Sequence, residues 1–167
     1  GTPLSESISF NIGGFYRTGE GARTAGYNAN NGGQIKANLT KKFDKGYVRF
    51  YFKYLNDRTP AYMPAPIQVS GTNSNPDWAS ISTFNAKTGT MYTPFIQKSL
   101  GLGNSGELRS SNLSDGMHPV STSFGSDFKF NLDDNWIIDN KMRMSLNNGS
   151  FISFFPSNIA SLHRRSC

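Results

Sequence analysis

A single cysteine, Cys167 at the very end, is all the chain has among its 167 residues, so neither a disulfide framework nor a cysteine-based metal site is open to it. Charge is scarce as well: Asp, Glu, Lys and Arg make up 17% against roughly a quarter in ordinary soluble domains, and apolar residues make up 36%. No apolar run approaches the ~18 residues of a membrane-spanning helix, which leaves any membrane role to strands. No stretch holds a 3.6-residue hydrophobic period, so helices are not expected. The net charge of +6 comes from 17 Lys and Arg spread along the chain without a block, a solvated surface and not a nucleic-acid footprint. The chain begins Gly1-Thr2-Pro3, with no initiator Met and no signal peptide, which reads as an excerpt of something longer. What fills the deficit is polar and aromatic: Ser, Asn and Thr, 17 Gly, 13 Phe and 7 Tyr, far too aromatic for a disordered chain.

Period-two alternation occurs almost everywhere. In Gly46 to Leu55, Val48, Phe50, Phe52 and Tyr54 fall on one side while Tyr47, Arg49, Tyr51 and Lys53 fall on the other. Before it, Ile35, Ala37 and Leu39 alternate with Gln34, Lys36 and Asn38, and Asp44-Lys45-Gly46 joins the two segments as a hairpin. The pattern recurs with Phe124, Phe128 and Phe130, then with Ile138, Met142, Met144 and Leu146, around a turn at Asp133-Asp134-Asn135. A further segment near the start alternates Ile8, Phe10, Ile12 and Tyr16 with Ser7, Ser9, Asn11 and Arg17. Five antiparallel strands are expected, at residues 7–17, 33–43, 46–57, 121–132 and 136–147.

These strands are long, about the 9–11 residues that cross a bilayer at a tilt, whereas strands of soluble proteins average five or six. Their apolar face carries no charge in its central positions, and the opposite face holds Arg17, Lys36, Arg49, Lys53, Asp127, Lys129, Lys141 and Arg143. The connections are unequal, with two tight turns on one edge of the sheet and two long loops, Thr18 to Gly32 and residues 58–120, on the other. Short turns on one side and long loops on the other are the asymmetry of an outer-membrane barrel. Tyr16, Phe43, Tyr54 and Trp136 near strand ends fit interfacial aromatic girdles. The fold expected is therefore all-β: an antiparallel up-and-down meander of long strands over residues 1–155, part of a transmembrane β-barrel, with one long extracellular loop and a non-barrel tail at 156–167. A soluble all-β binding module for glycans or a surface partner is the alternative, in which the apolar face would be a core. The two differ in what covers Phe50, Phe52, Phe128 and Phe130.

Motifs for chemistry are weak. Gly101-Leu102-Gly103-Asn104-Ser105-Gly106 matches a dinucleotide fingerprint but follows no β-branched strand and precedes no helix, so loop glycines account for it better. Lys45 to Phe52 resembles an RNA-recognition octamer, yet Val48 and Arg49 occupy the positions that need a small residue and a stacking aromatic. His118 and His163 stand without a serine elbow or a carboxylate at useful spacing, and Asp133-Asp134-Asn135 lacks the Gly and Glu of a calcium loop. No catalytic residue, no metal and no cofactor is expected, and the chain is not expected to be an enzyme. In the long loop Tyr62, Met63, Trp78, Tyr92 and Phe95 either hold a ligand by stacking or pack on one another.

Asn31-Gly32-Gly33-Gln34-Ile35-Lys36-Ala37-Asn38-Leu39, Phe43-Asp44-Lys45-Gly46-Tyr47-Val48-Arg49, and Lys53-Tyr54-Leu55-Asn56-Asp57-Arg58-Thr59-Pro60-Ala61-Tyr62-Met63-Pro64 resemble, in order and spacing, the early barrel region of TonB-dependent outer-membrane receptors. Gly13-Gly14-Phe15-Tyr16-Arg17 and Asp115-Gly116-Met117-His118-Pro119 continue the likeness. The resemblance implies a 22-stranded barrel in the bacterial outer membrane, an N-terminal plug, and energised uptake of a scarce nutrient through contact with TonB. The plug and the TonB-engaging segment are not in this sequence, and five strands cannot close a barrel, so the partners implied are outer-membrane lipid, further barrel strands, the plug and a small nutrient ligand. Ligand contact then falls to the extracellular side, where Arg23, Tyr27, Lys53, Arg58 and Tyr62 combine donors and flat rings near the strand mouths. The alternative for Arg58 and Tyr62 is that they brace the base of the long loop.

Overall fold

A computed structural model describes residues 1–81 and 83–156. The expected tail lies, from residue 157 onward, outside the described residues. Strand β1 spans Thr2–Pro3, β2 Ile8–Gly19, β3 Asn30–Phe43, β4 Gly46–Arg58, β5 Gln68–Thr72, β6 Asn75–Ala79, β7 Lys98–Leu102, β8 Leu108–Asn112, β9 Met117–Asn131 and β10 Ile137–Phe151. One sheet has the order β1-β2-β3-β4-β9-β10 and is open; β5-β6 and β7-β8 form separate two-stranded ribbons. The chain divides into two compact units, a sheet unit of Gly1–Thr18, Asn31–Arg58 and His118–Ser150, and a loop unit of Gly19–Asn30, Thr59–Met117 and the segment from Phe151.

The five expected strands are all present, and each runs beyond its alternating core. β3 begins at Asn30 and not at 33, because Asn31 and Gly32 still pair with Arg58 and Asp57. Likewise β9 begins at Met117 and β10 continues to Phe151, through Asn, Gly and Ser residues that pair by backbone without contributing to the hydrophobic pattern. Within the long loop expected over 58–120 lie both ribbons and a 3-10 turn at Leu113–Asp115. The glycine-rich stretch serves as the turn of the second ribbon, where Gly106, at φ +80°, donates its N–H to the Gly103 carbonyl at 3.0 Å.

Register fixes the two faces of the sheet. On one, Val48, Phe50, Phe52 and Tyr54 stand beside Lys41, Leu39, Ala37 and Ile35 of β3 and Phe128, Ser126, Phe124 and Thr122 of β9. Phe52 and Phe124 meet at 4.9 Å between ring centres, Phe43 and Phe130 at 5.6 Å. On the other, Tyr47, Arg49, Tyr51 and Lys53 stand beside Lys42, Thr40, Asn38 and Lys36, and Lys129, Asp127, Gly125 and Ser123. Gly125 is there for Tyr51, whose ring occupies the space a Cβ would take and whose hydroxyl passes on to the Met142 carbonyl at 3.1 Å. A ring folded over a strand glycine restores the contacts that the missing side chain forfeits.

Burial in the sheet unit is sparse and falls on the charged face. Phe50 is 60% exposed, Met142 63% and Leu146 70%. The residues of this unit that are buried are Thr40, Asp57 and Ser123, all on the charged face.

Candidate functional site

Polar chemistry gathers in two places. The first is the charged face of the sheet. Arg17 grips Asp57 with two hydrogen bonds, Nε to Oδ1 at 3.1 Å and Nη2 to Oδ2 at 2.6 Å. Asp127 accepts from the Tyr47 hydroxyl at 3.1 Å and lies 4.0 Å from the Arg49 guanidinium, whose Nε donates to Thr40 Oγ1 at 3.0 Å. Ser123, 1% exposed, sits 2.9 Å from the Ser145 hydroxyl and accepts from Arg143 Nη2 at 3.2 Å. Lys53, one of the expected ligand residues, pairs directly across the strands with Lys36. Two like charges so placed repel and destabilise the pairing. Asp57 and Asp127 are already engaged, which leaves the face with a surplus of positive charge.

The second place is the loop unit, which holds Arg23, Tyr27 and Tyr62. Arg23 and Tyr62 are brought together, with the guanidinium carbon 5.7 Å from the ring centre and the Arg23 backbone N–H donating to the Tyr62 hydroxyl at 3.3 Å. The same guanidinium nitrogen donates to the carbonyls of Ala86 and Gly89, both at 2.8 Å. This is a clamp closing loop segments on one another. The cavity beside it, lined by Arg23, Tyr62, Phe84, Tyr92 and Phe154, measures about 10 Å³, room for about one water.

Tyr92, offered by the sequence either to a ligand or to loop packing, does the second. Only 4% exposed, it packs with Ala25 and Ala29, meets Phe154 edge-on at 5.7 Å, accepts from the Ala61 N–H at 3.1 Å and donates to the Ile152 carbonyl at 2.8 Å. Tyr27 rests half-buried against that cluster, and burial pushes its phenol above the ordinary tyrosine value. It also lines an open depression of about 200 Å³ with Thr93, Pro94, Ile96, Gln97 and Ser114. Arg58 closes β4, in the sheet unit with Lys53. Of the five expected residues, therefore, Arg23 and Tyr62 form one contact, Tyr27 joins the loop cluster, and Lys53 and Arg58 belong to strand β4. The Arg17–Asp57 pair was not anticipated: alternation marks Arg17 as part of the charged row, but the register that brings Asp57 to it leaves no local signal.

No protein-family model, curated protein or solved structure matches the chain.

Proposed function

We propose that the chain is a portion of a transmembrane β-barrel in the bacterial outer membrane, its apolar face toward lipid and its charged face toward the lumen. The observation that carries this reading is where burial falls in the sheet unit: Phe50, Phe124, Met142 and Leu146 are exposed on one face, while the buried residues, Thr40, Asp57 and Ser123, are polar and on the other. Contiguous exposed apolar area on this scale is rare in soluble monomers. Strand length and connection length support the same reading. β2, β3, β4, β9 and β10 run 12 to 15 residues, the turn between β3 and β4 is only residues 44–45, and the link from β4 to β9 is residues 59–116. Along β4, the ten steps from Gly46 to Asn56 rise about 33 Å, or about 25 Å across a membrane at a 40° tilt, the height of a barrel's apolar band.

Within that architecture, the order and spacing of the motifs around Asn31–Leu39 and Lys53–Pro64 favour a receptor of the TonB-dependent kind, taking up a scarce nutrient with energy supplied through TonB. The loop unit, with its own clamp and aromatic cluster, is then an ordered extracellular element of the receptor. A soluble binding module would need a layer over Phe50, Phe52, Phe128 and Phe130. Size-exclusion chromatography in the absence of detergent tests the choice: aggregation that detergent reverses is expected. A monomeric peak with a cooperative melt would refute the membrane assignment.

A further inference from the structure

The apolar face of the sheet carries one lysine. Lys41 pairs with Val48, which pairs in turn with Phe128, so its Cβ lies among the apolar row and not among the charged one. Every other charged side chain of the five long strands, apart from Arg58 at the far end of β4, is on the opposite face. A charge facing lipid costs about 2–4 kcal/mol at the midplane and about 0–1 near the interface. Lys41 is where it is tolerated, two residue pairs inside the Phe43–Gly46 pair that ends the hairpin.

Its surroundings are built to aim the ammonium. Nζ lies 6.0 Å from the centre of the Phe43 ring, so the aliphatic stem follows an apolar surface while the charge leaves it. Nζ donates to the Ser7 hydroxyl at 2.6 Å, and Ser7 is anchored in turn by accepting the Lys42 N–H on its carbonyl at 2.7 Å. Two ammonium hydrogens and the Ser7 hydroxyl proton remain to donate. Among the described residues no carboxylate stands within ion-pair distance of Lys41. The opposite end of the same face is finished differently: Tyr16 meets Asn31 at 2.9 Å, Asn56 meets Tyr54 at 3.2 Å and His118 at 2.8 Å, and Arg58 closes β4.

We propose that Lys41 and Ser7 bind the phosphate of a phospholipid headgroup at the short-turn end of the sheet, fixing the depth at which the strands sit. The inference rests on the membrane reading and adds to it a ligand chemistry and a boundary. A headgroup is the occupant, and not a free anion, because the rings of Phe43, Phe128 and Phe130 beside the site offer acyl chains an apolar wall that a soluble anion would not use.

The test is partition of the full chain, followed by tryptophan fluorescence, into vesicles of phosphatidylcholine with and without phosphatidylglycerol. Lys41→Gln should lower partition into the anionic vesicles about five-fold, the weight of one basic residue at an anionic surface, while Lys41→Arg retains it. Lys36→Gln removes the same charge from the opposite face and should lose distinctly less. Equal losses in Lys41→Gln and Lys36→Gln would overturn the phosphate site and leave the membrane reading standing. No partition of the unmodified chain into either vesicle would overturn both. If inorganic phosphate at constant ionic strength abolishes the Lys41 effect, the ligand is a free anion and the headgroup assignment fails.

Discussion

Replacing Phe50 by Arg separates the two environments that its exposed ring can occupy. Phe50 stands two residues from Phe52, the middle residue of β4, which at a 40° tilt places it about 5 Å from the centre of the apolar band. With 60% of the residue uncovered, its ring offers roughly 120 Å² to its surroundings, about 3 kcal/mol of apolar transfer. In lipid, Phe50→Arg forfeits that contact and introduces a charge near the midplane, so assembly of the complete barrel should weaken by about 2–4 kcal/mol. In water the same change relieves an exposed ring and should stay within about 0.5 kcal/mol. Lys53→Gln is the control, since it removes one member of the facing Lys36–Lys53 pair and should be neutral or slightly stabilising. Arg49→Gln on the same charged face should cost about 1 kcal/mol at most, because its side chain is nearly half exposed although it holds Thr40 and approaches Asp127. Denaturant titration of the complete barrel in lipid vesicles measures all three. A midpoint for Phe50→Arg equal to that of Lys53→Gln would refute the assignment of the faces.

Tyr92→Phe removes the hydroxyl that joins Ala61 to Ile152 and should cost the loop unit about 1–2 kcal/mol, read as roughly ten-fold faster amide exchange at Ala61 with the sheet amides unchanged. Gly125→Val puts a side chain where the Tyr51 ring lies, so the Tyr51 hydroxyl should lose the Met142 carbonyl at a cost of about 1–3 kcal/mol, seen as a lower denaturation midpoint in lipid. The Glu107 carboxylate is held below its ordinary value by its own backbone N–H first, then by Arg109 and the Ser105 N–H. A depressed folded-state value means that its support for the β7–β8 turn is complete above the unfolded carboxylate range and is lost as pH falls through the lower folded value. The Ser105 amide resonance should therefore titrate below the ordinary glutamate range; a midpoint within that range would show that the turn does not hold the carboxylate.

The long strands were legible because alternation in them is nearly unbroken, and β4 alone sets Val48, Phe50, Phe52 and Tyr54 against Tyr47, Arg49, Tyr51 and Lys53. Their ends were not, since Asn30, Gly32, His118 and Gly149 pair through backbone that leaves no periodic mark. β5 to β8 were hidden for a related reason. Segments such as Gln68–Thr72 and Leu108–Asn112 are five-residue ribbons of largely Ser, Thr, Asn and Gly, held by cross-strand backbone bonds and turn glycines and not by an apolar face. The grouping of Arg23 with Tyr62 joins residues far apart in sequence through a clamp on the Ala86 and Gly89 carbonyls, which no local pattern encodes. Tyr51 over Gly125 is similar: the ring and the glycine are each ordinary in sequence, and only register brings them together.

The direction in which the apolar face points is measured most directly by single spin labels along β4. With Cys167 changed to Ser, cysteines introduced one at a time at positions 48 to 54 report collision with oxygen, which dissolves in lipid, and with a water-soluble nickel chelate, once the chain is assembled in vesicles. Labels at 48, 50, 52 and 54 should favour oxygen and labels at 49, 51 and 53 the chelate, a period of two in register with the faces described above. Even-numbered positions as open to the chelate as the odd ones, or a profile without alternation, would contradict a sheet whose apolar face meets lipid.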